Sequence, residues 1–194
     1  MDCNIKGLAH RRKAGLRAAR ILLGLSLAAF VTPAGAATQG TLGTTSQGSI
    51  TITATVPNRA QITGLTDINF TNADPTTTAT ATQNDCVWSN TATKGYSIKA
   101  TGSGTAGAFT LASGALTPIA YSVQWNQSSG QSSGTSLTAG TALSGLVSTA
   151  TTPTCSSGPA TTSSLIVSIA SADLQNMVAA TSYTGTLTLL VTPQ

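Results

Sequence analysis

Residues 49–56 read Ser-Ile-Thr-Ile-Thr-Ala-Thr-Val and end on Pro57. Side chains of an extended chain point alternately to its two faces, so this order puts Ile50, Ile52, Ala54 and Val56 on one face and hydroxyls on the other. A helix would scatter the same residues around its axis, and the density of β-branched side chains disfavours it further. The segment therefore reads as a strand with one apolar face to bury. Whether that face belongs to its own sheet or to another molecule's decides what the chain does.

The same two-residue period returns in Ala79 to Trp88, Gly95 to Thr101, Pro118 to Asn126, Ser164 to Ala170 and Tyr183 to Thr192, and less regularly in Gln61 to Phe70. In the last of these by position, Tyr183, Gly185, Leu187, Leu189 and Val191 share a face, and the strand stops close to Gln194 as an edge open to pairing. Residues 37–48 are small and polar, a flexible lead-in. From Gln127 to Thr162 the chain is rich in Ser, Gly and Thr, with Leu137, Leu143, Leu146 and Val147 as its apolar anchors, enough for one poorly patterned strand. About seven or eight short strands bounded by turn residues make an all-β chain with the pattern of a β-sandwich.

Residues 1–36 stand apart. Lys6, Arg11, Arg12, Lys13, Arg17 and Arg20 precede the apolar run 21–31, and Ala34-Gly35-Ala36 offers small residues for cleavage. This is the order of a secretory signal peptide, and the run falls short of the roughly 20 residues of a spanning helix. Without it, Arg59, Lys94 and Lys99 face Asp67, Asp74, Asp85 and Asp173, a formal charge of −1, so the basic balance of the whole chain belongs to the leader. The remainder carries no basic patch for nucleic acid or anionic lipid. Cys86 and Cys155 are left in an exported chain, where they most simply form one disulfide. A zinc site is the alternative, and two thiolates without a histidine do not complete a tetrahedral shell.

Catalysis finds little to work with. Beyond the leader there is no histidine, no glutamate and only two lysines, so the abundant serines and threonines lack a neighbouring base to activate them. No cofactor is expected, and the chain does not read as an enzyme. Asp67, Asp74 and Asp85 are too dispersed for a calcium loop and read as solvated turn residues. Trp88 and Trp125 read as core residues, with Trp88 beside the disulfide, although an exposed pair could stack on a sugar ring.

The succession "SITITATVP", "IAYSVQW", "SLIVSIA" and "YTGTLTLLVT" resembles the pilin subunits of chaperone-usher pili. The likeness is to the alternate, colonization-factor type and the archaic, spore-coat-protein-U type. It runs over nearly all of 49–192 and rests on strand patterns and a Tyr-x-Gly opening. The resemblance implies an incomplete immunoglobulin-like β-sandwich lacking its last strand, completed by donor-strand exchange. It implies a signal peptide over 1–36, an N-terminal extension with the donor strand over 37–57 and a pilin domain over 58–194. Ile50, Ile52, Ala54 and Val56 become groove-filling donor residues, and Tyr183, Leu187, Leu189 and Val191 the edge of the acceptor groove. The implied partners are a periplasmic chaperone, an outer-membrane usher and neighbouring pilin subunits, and the implied place is the cell surface. Two departures stand: the pairing of Cys86 with Cys155 fits the archaic type at a different spacing, and the lead-in is longer than a donor strand needs. Rival readings are a secreted spore-coat or surface structural protein and a carbohydrate-binding adhesin module.

Overall fold

The computed structural model describes residues 36–194; the proposed leader, but for Ala36, lies outside them. The chain divides into a unit ending at Ala54 and a unit spanning Thr55–Gln194. In the first, Thr38 and Ser49 exchange two backbone hydrogen bonds of 2.9 Å, closing a glycine-rich loop. Ile50 and Ile52 are 73% and 84% exposed. Among the described residues 50–59 no strand is assigned, so the alternation that dominates the sequence is not expressed as a ladder within one chain.

The regular secondary structure of the second unit is almost all antiparallel strand: β1 (Ala60–Thr63), β2 (Ala79–Ser89), β3 (Gly95–Gly102), β4 (Thr110–Leu111), β5 (Ile119–Ala120), β6 (Ser122–Asn126), β7 (Thr135–Ser136), β8 (Ala142–Val147), β9 (Ser163–Ile169) and β10 (Leu187–Pro193). One short helix, α1 (Ser171–Leu174), follows β9. No helix among the described residues is long and apolar enough to cross a membrane. A five-stranded sheet runs in the order β1-β2-β9-β6-β7, a three-stranded sheet in the order β10-β3-β8, and β4 pairs with β5.

Alternation along the strands sets what they bury. Val87 of β2, Val123 and Trp125 of β6, and Leu165, Val167 and Ile169 of β9 come from the larger sheet; Tyr96, Ile98 and Ala100 of β3 come from the smaller, and all share one core. Trp125, at the centre, donates its indole N–H to the Tyr96 hydroxyl at 3.1 Å, which answers the one polar atom its burial would otherwise strand. The stretch 127–162 contains β7 and β8, and a serine of β9 ties down its start. Ser164 Oγ donates to the Ser128 carbonyl at 3.0 Å and accepts from Gln131 N–H at 3.0 Å, which holds the 127–134 loop to β9.

Cys86 and Cys155 form a disulfide across a sequence separation of 69. Trp88 packs against it together with Ala150, so neither tryptophan presents a platform to solvent: Trp125 is 1% exposed and Trp88 is half-buried.

Candidate functional site

Strand β1 leaves its ladder early. The sequence pattern runs from Gln61 to Phe70, but pairing with β2 covers only Ala60–Thr63. Gly64 follows at φ 87°, a left-handed conformation that glycine adopts without steric cost and that ends a strand. Beyond it Ile68 and Phe70 still pack toward the core, while Thr66 donates both its N–H and its Oγ1 to Gln83 Oε1 at 2.8 Å. Among the described residues, 66–73 make no hydrogen bond from backbone to backbone.

The other side of the gap is β10. It pairs with β3 from Leu187 to Pro193 and with no second strand among the described residues. Its inward side chains are Leu187, Leu189 and Val191, all half-buried, against the exposed Thr188, Leu190 and Thr192. Just before it, Ala112 and Thr184 exchange backbone hydrogen bonds of 2.8 and 2.9 Å. A Cβ on Gly185 would stand 2.8 Å from the Thr110 carbonyl oxygen, so the approach to β4 needs a glycine there.

Between these walls lies a groove of about 830 Å³. Its floor is apolar, with Leu165, Val167 and Ile169 of β9 joined by Leu111, Tyr121 and Leu174; Tyr183, Leu187 and Leu189 line the β10 side. Val191 does not line it and packs on the core further along the strand. Tyr183 also turns its hydroxyl to accept from Val178 N–H at 3.3 Å. An apolar trough between two backbone edges with unmade hydrogen bonds can accept an extended segment whose alternate side chains drop into it. The early exit of β1 is what opens the trough, and the glycine that causes it was indistinguishable in the sequence from any turn glycine.

The carboxylates separate. Asp74 is a turn residue as its sequence implied: Thr76 N–H and Oγ1 donate to it at 2.8 and 2.7 Å and hold its carboxyl below the usual range. Asp85 departs from the same expectation. It lies inside β2, on the inward parity of Val87, fully buried, and neither carboxylate oxygen has a hydrogen-bond partner. Burial pushes its pKa up to about 6, because a desolvated carboxylate favours its neutral form. Among the described residues no three His, Cys, Asp or Glu side chains gather as a metal site would require.

A scan of the chain against protein-family models gives no match, and a search of curated proteins finds none similar to it.

Proposed function

We propose that this chain is a structural subunit of a bacterial surface pilus. On this reading its two main sheets form an incomplete immunoglobulin-like β-sandwich, and the last strand is lent by a neighbouring copy. The observation that carries the reading is the apolar groove between two unpaired backbone edges, in a chain that also holds an exposed alternating segment at Ile50, Ile52, Ala54 and Val56. Filling the groove with that segment joins the edge of one sheet to the departed end of β1. Two Ile, one Val and one Ala add roughly 5 to 9 kcal/mol of gross burial, comparable to the stability of a whole domain.

Head-to-tail donation of this kind does not close on itself and gives a filament. The role is mechanical rather than catalytic, in adhesion or biofilm. A subunit whose groove is open needs cover before assembly, which is the part of a periplasmic chaperone, and an outer-membrane usher is where donation takes place. The test is to delete residues 49–56 from the full chain and follow thermal unfolding of the exported protein with and without a synthetic peptide spanning 49–57. Low stability restored by the peptide is the expected result. A deletion variant as stable as the parent and indifferent to the peptide would leave the segment without a receptor and end the reading.

A further inference from the structure

Pro57, Asn58 and Arg59 are all that separates the apolar segment from β1, and one side chain holds their backbone. Asn90, just past the end of β2, accepts the Arg59 N–H on Oδ1 at 2.6 Å and donates from Nδ2 to the Pro57 carbonyl at 2.9 Å. Its own N–H donates to the Arg59 carbonyl at 3.1 Å. A carbonyl at one residue and the N–H two residues on face the same side when the backbone between them is extended. Asn90 thus grips the lead-in as if it were a strand, and residues 55–59 enter β1 with neither turn nor bend.

The groove is walled by residues that come after β1, from Leu65 to Ala73, and by β10. A chain that laid residues 50–56 along its own groove would have to reverse direction within 57–59, the length of a hairpin loop. A two-residue turn at Pro57 and Asn58 needs positive φ at its first position, which proline cannot adopt, and a three-residue loop over 57–59 puts its left-handed residue at Arg59, a conformation that a side chain with a Cβ disfavours. The reversal would also pull Pro57 and Arg59 off Asn90. We propose that Asn90 is a positioning residue that keeps the segment out of its own groove and thereby selects a second copy of this chain as the partner. The inference rests on the donor-strand reading above.

The experiment expresses the full chain with its leader and sizes the exported protein by sedimentation over a range of concentrations. Asn90→Ala should raise the monomeric fraction about ten-fold, the effect of losing two hydrogen bonds of ordinary net strength, and the Tm of that monomer should not depend on concentration. Pro57→Asn combined with Asn58→Gly, which writes a primed hairpin turn and leaves Asn90 intact, should do the same. If Asn90→Ala misfolds, seen as a lost Cys86–Cys155 bond, the turn variant decides alone. A merely structural Asn90 would lower Tm and leave the monomeric fraction unchanged, and that outcome overturns the proposal, as does a turn variant that polymerises like the parent. A parent that neither polymerises nor takes up a fluorescent 49–57 peptide sinks the donor-strand reading and the role of Asn90 with it. A parent that does both, beside variants that do the same, sinks the role of Asn90 alone.

Discussion

Residues 148–162, which hold no strand, and the groove walls, one of them the regular strand β10, end differently. The first is almost free of large apolar side chains, yet it is held at many points. Ser148 Oγ donates to the Val87 carbonyl, Ala150 N–H donates to Ser148 Oγ at 3.0 Å, and Lys94 Nζ donates to the Ala150 carbonyl at 3.2 Å. Thr162 closes it by donating its N–H to the Asp85 carbonyl and accepting the Val87 N–H, and Cys155 fixes the middle covalently. The groove walls have the opposite inventory: Ile68, Phe70, Tyr183, Leu187 and Leu189 remain half-exposed along backbones with unmade hydrogen bonds. Polar composition does not mean looseness where a hydroxyl has a carbonyl to reach, and apolar composition does not mean a closed core where a backbone edge is left unpaired.

The contrast breaks most sharply at the disulfide. Cys86→Ser with Cys155→Ser releases a closed loop of about 70 residues and should cost about 4 kcal/mol in the chain-entropy account. For a domain of this size that lowers Tm by roughly 10 °C. Scanning calorimetry of the oxidised protein checks it, and the 49–57 peptide should still bind the variant, since no residue of 148–162 lines the groove. The groove side is probed by Ile52→Ala, which leaves the isolated domain as stable as before and weakens docking of the segment by about 2 kcal/mol, roughly 30-fold in Kd. Fluorescence titration with wild-type and substituted peptides reads the difference; equal affinities would mean that Ile52 enters no pocket.

Asp85 sits where the pinned stretch meets the core, its carbonyl accepting the Thr162 N–H, and its effect shows only as a dependence on pH. Its folded pKa of about 6 lies above the ordinary value of 3.8, so the native state holds a proton that the unfolded chain has released between those pH values. Stability from this group is fully present below about pH 4 and is lost as pH rises toward 6, with a total of the order of 3 kcal/mol. Asp85→Asn should flatten that slope and be the more stable form at pH 7.5. Denaturant unfolding from pH 3.5 to 7.5 measures it, and identical profiles for the two proteins would place a partner at the carboxylate.

Much of this was legible in the sequence. β2, β3, β6, β9 and β10 lie where Ala79 to Trp88, Gly95 to Thr101, Pro118 to Asn126, Ser164 to Ala170 and Tyr183 to Thr192 alternate, because a half-buried strand imprints its period on the chain. The disulfide followed from counting. β8 was harder, since Gly145 at φ 76° interrupts its apolar face. The onset of β10 was read four residues early: Tyr183 to Thr186 alternate as a strand does, but bond instead to Ala112 and Ser103. Asp85 carried a usable signal, the parity it shares with Val87, against which its charge argued for solvent. Asn90 carried none. An asparagine after a strand signals a turn, and nothing in the chain's order shows that its amide reaches back over 30 residues to Pro57 and Arg59.

The register of β1 has a mechanical consequence. Ala60 pairs with Ser89 and Thr63 with Cys86, so a pull on the chain ahead of Pro57, directed along β1, loads the ladder in shear, with its hydrogen bonds strained together rather than one by one. Asn90 lies at the loaded end and Cys86 at the far end. Past Thr63 the force has a covalent strut through which to spread, from β2 by way of Cys155 toward β9. A domain tethered in this way should yield at its groove before it yields at its anchor.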